Sequence, residues 1–317
     1  MRGLRRAAAA LMVFAVPIFT LLAATPAHAN FNTNAGVALQ FAVLGQFSAN
    51  QTNFNNGTIT GDVGIGSPRA FTISNASVIG NIRFSGASNT GGLTPNPNPG
   101  SNPGPFTVSG GGTVSGGVVA NDAVVTTALN NVNSLSQSLG GEAGTDLTLT
   151  SSQTINASAG ILDAGGNRVF DTTSVNLANA TTLTINGSAA DYVVINVTDN
   201  NPAFNGKVVL TGGITSDHVL FNMFGGSYVT HTGGPTLTIS TNGQITTGIF
   251  LDPNGGMQIN HSDLEGRFWG GDVVNQQIVS GADITAPTPV PEPVTMFLGG
   301  TGLLFLAYGA RRRLFGR

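Results

Sequence analysis

The sequence has no cysteine and a single lysine, Lys207, among its 317 residues. The absence of cysteine excludes a disulfide scaffold and a cysteine-ligated zinc site. Only 9% of the residues are charged, and a helical bundle or coiled coil needs many more lysines and glutamates. The chain instead contains 45 glycines, and 40% of its residues are hydrophobic. This composition predicts a β-rich protein with many tight turns and an uncharged polar surface.

Charge is also distributed unevenly along the chain. Between positions 30 and 290 there are five basic and 14 acidic residues, so the net charge of this body is 5 − 14 = −9. An acidic body without a basic patch excludes nucleic acid as a partner, because phosphate recognition requires clustered Lys and Arg. The sequence also lacks a phosphate-binding loop and a dinucleotide fingerprint, so we expect no cofactor.

Residues 1–29 follow the three-part pattern of a secretory signal peptide. An arginine-containing start precedes an apolar stretch, and Ala27 and Ala29 are small residues of the kind that signal peptidase accepts. We therefore expect export through the Sec translocon, cleavage by signal peptidase and a mature protein that begins at Asn30. An uncleaved membrane anchor is the alternative.

The other end of the chain, residues 288–317, forms a second three-part segment. An apolar stretch occupies 294–310, and as a transmembrane helix it would extend roughly 26 Å, close to the ~30 Å hydrocarbon core. The arginines behind it would stay on the cytoplasmic side by the positive-inside rule. The residues that flank the stretch are Pro291, Glu292, Pro293, Arg311, Arg312 and Arg313.

This tail resembles the PEP-CTERM sorting signal of Gram-negative bacteria. The resemblance implies transient anchoring in the inner membrane, followed by recognition and removal of the tail by the transpeptidase exosortase. It also implies a role at the cell surface or in the extracellular matrix, associated with exopolysaccharide or biofilm. An ordinary C-terminal membrane anchor is the alternative.

Between the two ends, a short unit of apolar-x-Gly-x-apolar residues recurs along the chain. Gly61 is followed by Gly80, and Gly248 by Gly266, at steps of about 18 residues. Alternating apolar residues pointing into a narrow core, with glycine at each corner, would produce such a period. The spacing predicts an all-β, right-handed β-solenoid with a coil of about 18 residues over 30–287. A β-sandwich is the alternative.

Two segments interrupt the repeat. Residues 88–105 are rich in Pro, Asn and Gly, which predicts a surface loop. Residues 122–139 show apolar positions at steps of three and four after Asp122, a suitable N-cap, and Gly140 follows. We expect one long helix here, packed alongside the solenoid by its single apolar stripe.

A β-solenoid with one helix between its early and late coils resembles the ice-binding-like bacterial adhesin fold. The segments FAVLG (41–45) and TITGDVG (58–64) are similar to the opening of that family. The segments VFD, ATTLTI and YVVINV, which begin at 169, 180 and 192, are similar to choice-of-anchor A surface domains. The resemblance implies a surface adhesive module, whereas the segment around Trp269 departs from ice-binding members.

Sequence patterns for catalysis and metal binding are weak. No Gly-x-Ser-x-Gly motif occurs, so we predict no catalytic residue. Asp252, Asn254, Asp263 and Glu265 could bind calcium, or an acidic pair with Trp269 could bind or cleave a sugar. Their spacing matches neither an EF-hand nor a calcium repeat, and such residues also stabilise turns. We therefore assign them to structure and expect no metal site.

Threonines at alternate positions form the last pattern. Each pair places two hydroxyl groups on one side of a strand, and the gaps between successive pairs are near two and three coils. Some pairs could therefore align into a flat surface that binds a ligand. The candidates are Thr148, Thr150, Thr182, Thr184, Thr236 and Thr238.

Together these features predict an exported, non-enzymatic surface protein with a structural or adhesive role. An ice-binding protein is the first alternative, supported by the threonine pairs. A polysaccharide-degrading enzyme on a solenoid is the second alternative, since solenoids carry such enzymes.

Overall fold

The computed structural model describes residues 30–47, 50–67, 69–86, 106–230, 233–271 and 276–287. The predicted signal peptide, the loop at 88–105 and the predicted sorting tail lie outside these residues. Among the described residues, no helix is long and apolar enough to cross a membrane. The predicted transmembrane helix at 294–310 is not among them.

The described chain has two α-helices, α1 (Phe31–Ala35) and α2 (Ala123–Gly140), and three 3-10 turns at Gly36–Gln40, Ala157–Ala159 and Ser216–His218. The strands are β1 (Phe41–Gly45), β2 (Gln51–Asn55), β3 (Thr58–Thr60), β4 (Asp62–Ile65), β5 (Ala70–Ser74), β6 (Ser77–Ile79), β7 (Ile82–Phe84), β8 (Phe106–Ser109), β9 (Thr113–Val114), β10 (Val118–Val119), β11 (Thr145–Leu149), β12 (Gln153–Asn156), β13 (Ile161–Leu162), β14 (Asn167–Leu177), β15 (Thr182–Asn186), β16 (Tyr192–Val197), β17 (Ala203–Phe204), β18 (Lys207–Thr211), β19 (Val219–Met223), β20 (Thr236–Ile239), β21 (Ile245–Asp252), β22 (Gly256–Asn260), β23 (Asp263–Gly270), β24 (Gln276–Val279) and β25 (Asp283–Thr285).

These strands lie in three parallel arrays, which we call the helix-covered face, the open face and the third face. The helix-covered face contains, in spatial order, β11, the first half of β14, β16, β19, the second halves of β21 and β23, β1, β4, β7 and β10. The open face contains the end of β14, then β17, β20, β22, β24, β2, β5 and β8. The third face contains β12, β15, β18, the first halves of β21 and β23, β25, β3, β6 and β9.

The order of the strands differs from their order in the sequence at one point. Strand β1 pairs with β4 on one side and with β23, from the end of the described chain, on the other. Likewise β2 pairs with β24, and β3 with β25. The strands before α2 therefore stack on the last strands of the described chain, and α2 separates the early strands from the late ones in sequence.

Stacked glycines form the corner between the third and helix-covered faces. Gly61 and Gly248 have φ values of 128° and 123°, a region that favours glycine. A methyl group on Gly80 would collide with the carbonyl of Gly61, and one on Gly266 would collide with the carbonyl of Gly248. These are the glycines whose regular spacing stands out in the sequence, and the spacing reflects their stacking.

The interval between stacked residues is not constant. Ser67 and Ser85, which follow the paired strands β4 and β7, are 18 residues apart. In contrast, Asn186 and Thr211, which are partners in the ladder of β15 and β18, are 25 residues apart. An interval of about 18 residues therefore occurs in part of the described chain, and longer connections between strands lengthen it elsewhere.

Inward-pointing residues of all three faces meet in one hydrophobic core. Alternation decides which side chains enter it: in β5, Phe71 and Ile73 are buried while their neighbours are half-buried. Phe204, Phe221 and Phe250 form an aromatic cluster with ring centroids 4.8 to 5.2 Å apart. The core and the mostly parallel strand pairing do not fit a β-sandwich, whose sheets are antiparallel.

Helix α2 lies on the helix-covered face, as its apolar stripe predicts. Asp122 is the N-cap and accepts a hydrogen bond from the Val124 N–H. The buried stripe of α2 forms a second hydrophobic cluster with α1 and with outward residues of the strands, among them Val194, Leu220 and Trp269. This face is therefore covered by protein.

Candidate functional site

The open face is distinguished by the absence of charge. None of its seven complete strands, β2, β5, β8, β17, β20, β22 and β24, contains an Asp, Glu, Lys or Arg. Its central row runs across eight paired strands, and its side chains are half-buried or exposed. In spatial order the row contains Asn176, Ala203, Thr238, Gln258, Gln277, Asn53, Thr72 and Thr107.

The local sequence explains why these side chains point outward. In a strand, successive residues alternate between the two sides, so the burial of Phe54 and Phe71 turns Asn53 and Thr72 away from the core. Because neighbouring strands are parallel and in register, Asn53 and Thr72 are adjacent. In the sequence they are separated by one circuit of the chain, by which we mean one passage through a strand of each of the three faces.

Except at Ala203, the row therefore presents amide and hydroxyl groups at the spacing of the strands, about 4.8 Å. A second row beside it contains Asn260, Val279, Asn55, Ser74 and Ser109. The Asn, Gln, Ser and Thr side chains of the two rows donate and accept hydrogen bonds without a charge that must be desolvated on binding. The open face is thus suited to contact an extended neutral surface.

The helix-covered face offers no comparable surface because a buried polar network attaches α2 to it. The Asn222 side-chain amide donates to the Ser136 carbonyl (3.0 Å) and to Asn196 Oδ1 (2.9 Å). The Asn196 amide donates to the Leu139 carbonyl (2.9 Å) and to Asp171 Oδ1 (3.1 Å). These bonds hold the C-terminal half of α2 against β14, β16 and β19.

The third face carries charges that the open face lacks. Lys207, Asp263, Glu265 and Asp283 belong to its strands, and Asp263 is the register partner of Asp283. Burial raises the pKa of Asp263 above its ordinary value, and the neighbouring Asp283 carboxylate raises it further, while His261 lowers it. The third face is therefore electrostatically different from the open face.

The structure distributes the six candidate threonines over different sheets. Thr148 lies in β11, and Thr150 follows that strand. Thr182 and Thr184 lie on β15 of the third face, whereas Thr236 and Thr238 lie on β20 of the open face. The three pairs therefore do not share one row, because the interval between stacked residues varies along the described chain. Only Thr238 belongs to the central row of the open face.

The acidic candidates near the end of the chain are also separated. Asp252 and Asn254 are fully buried at the end of β21, whereas Asp263 and Glu265 lie at the start of β23. In the register of these strands Asp263 pairs with Ile245, the first residue of β21. The pair Asp263 and Glu265 therefore lies at the opposite end of the β21–β23 ladder from Asp252. Within the part of the chain that is described, no group of three His, Asp or Glu residues is arranged to hold a metal ion.

Trp269 does not provide a platform for a sugar. It is fully buried under α2, and its indole Nε1 donates to the Phe41 carbonyl at 3.0 Å. The predicted sorting residues and the predicted cleavage residues lie outside the described part of the chain. Sequence reasoning did not identify Asn53, Thr72, Gln258 and Gln277, although Asn53 and Thr72, like Gln258 and Gln277, are polar positions one circuit apart.

Solved structures with a similar fold are ice-binding proteins. One is an ice binding protein from an Antarctic biological consortium, with 16% sequence identity and a TM-score of 0.50 over 80% of this chain and 90% of that one. Another is LeIBP from Arctic yeast, with 18% sequence identity and a TM-score of 0.48 over 81% of this chain and 96% of that one. A third is the DUF3494 domain of Shewanella frigidimarina ice-binding protein_1, with 13% sequence identity and a TM-score of 0.48 over 80% of this chain and 97% of that one. At these identities the similarity concerns the fold and carries no statement about the ligand.

No curated protein sequence matches the chain. Residues 27–280 match the family described as "Putative Ice-binding-like adhesive domain". This match covers the described strands from β1 to β24 and the helix between them. The protein therefore belongs to the ice-binding-like adhesive domain family.

Proposed function

We propose that this protein is an exported, non-enzymatic surface protein whose open face adsorbs an extended neutral polymer such as exopolysaccharide. The observation that carries the proposal is the open face itself, whose seven complete strands contain no charged residue. Family membership supports an adhesive role. We further propose that the three faces are the sides of a right-handed β-solenoid, the hand favoured for parallel crossover connections.

The proposed mechanism of adhesion is the sum of many weak contacts. Each hydrogen bond between a polymer hydroxyl and an amide or hydroxyl group contributes only about 0.5–1.5 kcal/mol. Several rows of such groups on one rigid surface engage one polymer together, which raises the overall affinity without any strong single contact. Because no charge is involved, adsorption should not weaken with salt.

Purified full-length protein provides the test of this surface. We expect it to adsorb to exopolysaccharide isolated from the bacterium that makes it, to a similar extent at low and high salt. Thr72→Arg/Gln277→Arg, on the open face, should abolish adsorption, because two unpaired charges would be desolvated. Thr154→Arg/Thr184→Arg, on neighbouring strands of the third face, is the matched control. Equal adsorption of both variants would exclude the open face as the binding surface.

Export and sorting are part of the same proposal. Residues 1–29 act as a signal peptide for the Sec translocon, and 288–317 act as a tail that exosortase removes at the inner membrane. The support is the sequence pattern at both ends. Replacement of Pro291, Glu292 and Pro293 by alanine should leave an unprocessed, membrane-bound precursor. Normal processing of that variant would contradict this route.

Ice is the second candidate ligand of the open face. It is favoured by the parallel, in-register strands of this face and by Thr72, Thr107 and Thr238 in the central row. Gln258 and Gln277 interrupt that row with flexible side chains, so we expect at most weak shaping of ice crystals. Strong thermal hysteresis that Thr72→Arg abolishes would identify ice as the ligand instead of polymer.

The absence of enzymatic activity is likewise a proposal, and the carboxylates at the start of β23 support it. Asp283, the register partner of Asp263, accepts a hydrogen bond from the Thr58 N–H at 2.6 Å, which gives this carboxylate a structural role. We expect no cleavage of exopolysaccharide by the purified protein. Cleavage that is lost in Asp263→Asn or Glu265→Gln would restore the alternative of a polysaccharide-degrading enzyme.

A further inference from the structure

The third face is interrupted between β18 and the first half of β21. On the other two faces the same two circuits of the chain are joined by ladders, β16 with β19 and β17 with β20. On the third face, two threonine side chains replace the ladder. The Val208 N–H donates to Thr246 Oγ1 (3.1 Å), and Thr247 Oγ1 donates to the Val208 carbonyl (3.0 Å). A groove of about 850 Å³ opens at this interruption.

The groove extends across the strands. Thr247, Glu265 and Thr285 form one row on three neighbouring strands and line it. The connection between β18 and β19 supplies further lining residues, among them Ile214 and Asp217. The groove therefore combines hydroxyl groups, carboxylates and aliphatic side chains from several circuits.

Charge is concentrated in this groove to a degree that is unusual for this chain. Lys207, the single lysine of the sequence, lines it together with Glu265 and Asp217. Asp217 is 9% exposed and lies 3.3 Å from the guanidinium of Arg267, which is 1% exposed. Arg267 does not line the groove but compensates Asp217, so the remaining charged lining residues are one positive group, Lys207, and one negative group, Glu265.

We propose that this groove is a binding site for a short neutral oligosaccharide, separate from the open face. The Lys207 ammonium group would donate hydrogen bonds to sugar hydroxyls, and the Glu265 carboxylate would accept hydrogen bonds from them. Charge-assisted hydrogen bonds of this kind are stronger than those between neutral groups. Ile214 and Ile245, which also line the groove, cover the aliphatic side of a sugar ring. The balanced charge disfavours both acidic and basic ligands.

An extended peptide that adds to the edge of β18 is the competing occupant. The backbone of Val208, at the centre of that edge, already has hydrogen bonds to Thr246 and Thr247 on its N–H and carbonyl groups. A peptide strand would have to displace both. An oligosaccharide lying across the row of Thr247, Glu265 and Thr285 requires no such displacement.

Calorimetric titration of the full-length protein tests the proposal. The probes are neutral hexasaccharides of glucose, galactose and mannose, an oligogalacturonate, a chitosan oligomer and a neutral threonine–asparagine peptide. We expect at least one neutral hexasaccharide to bind, and the other three probes to bind at least about tenfold more weakly, because each leaves a charge or a backbone group unpaired.

Variants identify the site. Lys207→Met and Glu265→Gln should each weaken the bound hexasaccharide by about tenfold, the loss expected for a hydrogen bond to a charged group. Glu142→Gln, at an exposed carboxylate beyond α2, is the matched control and should change nothing. Thr72→Arg/Gln277→Arg should also leave this binding intact, which separates the groove from the open face. Unchanged melting temperatures check that the variants fold.

Three outcomes would overturn the proposal. These are no binding of any neutral hexasaccharide, binding that is unaffected by both Lys207→Met and Glu265→Gln, and tighter binding of a charged oligosaccharide or of the peptide. None of them bears on adsorption to the open face, so the two sites succeed or fail independently.

Discussion

An engineered disulfide between β2 and β24 tests the pairing of the early strands with the last described ones. Strand β2 pairs with β24 in a register that sets Asn53 opposite Gln277. Both side chains are half-buried on the open face. Adjacent strands lie about 4.7–4.9 Å apart, within the Cα separation of about 4.4–6.8 Å that a disulfide requires. Asn53→Cys/Gln277→Cys should therefore oxidise readily, and the chain has no native cysteine to compete.

The expected stabilisation follows from the length of the closed loop. Thr52 and Gln276, the adjacent pair in the same register, are 224 residues apart, and the engineered bond closes a loop of the same length. Loss of chain entropy in the unfolded state predicts roughly 5 kcal/mol for a loop of this size. Migration in denaturing electrophoresis without reductant reports the bond. Denaturant unfolding with and without reductant reports its effect on the free energy of unfolding.

Asn53→Cys/Gln258→Cys is the matched control. Gln258 is in the same row but one strand further away, about 9.6 Å from Asn53, which is too far for a disulfide. Equal oxidation of the two variants, or no oxidation of Asn53→Cys/Gln277→Cys, would refute the pairing of the early strands with the last ones.

Three further predictions concern stability. Phe221→Ala removes a fully buried ring from the aromatic cluster and should lower the free energy of unfolding by about 3–5 kcal/mol in denaturant titration. The control Ile79→Ala, at a side chain that is 53% exposed, should have little effect. Asn222→Ala leaves buried groups beneath α2 without their partners and should cost about 1–3 kcal/mol, detectable as faster hydrogen exchange in α2. Burial raises the pKa of Asp217 above its unfolded value despite the opposing effect of Arg267. The free energy of unfolding should therefore fall as pH rises from about 4 through that raised pKa. A pH series in which Asp217→Asn keeps the same slope would contradict this.

Local signals in the sequence predicted local structure well. Asp122 and the apolar stripe after it define α2 closely, because capping and amphipathicity are properties of a short segment. Gly61 and Gly80 stand at stacked corners because only glycine fits there. Both features depend on contacts with the immediate neighbours, which periodicity reveals.

Features that depend on distant contacts were not predictable. The position of β1 between β4 and β23 joins the two ends of the described chain, and no local pattern contains that information. The threonine pairs scatter because the connections differ in length from one circuit to the next, as the longer step from Thr182 to Lys207 illustrates. The groove arises because β18 and β21 form no ladder. An alternating sequence pattern does not reveal which neighbouring strands pair.

Attachment of cells tests most directly whether the uncharged open face is the adhesive surface. A strain without the gene would be complemented with the wild-type protein, with Thr72→Arg/Gln277→Arg, or with Thr154→Arg/Thr184→Arg, at equal surface levels. We predict that the open-face variant attaches at least about tenfold less than wild type, the effect of a loss of about 1.4 kcal/mol or more, and that the third-face variant attaches normally. Normal attachment of the open-face variant, or equal loss in both variants, would exclude the open face as the adhesive surface.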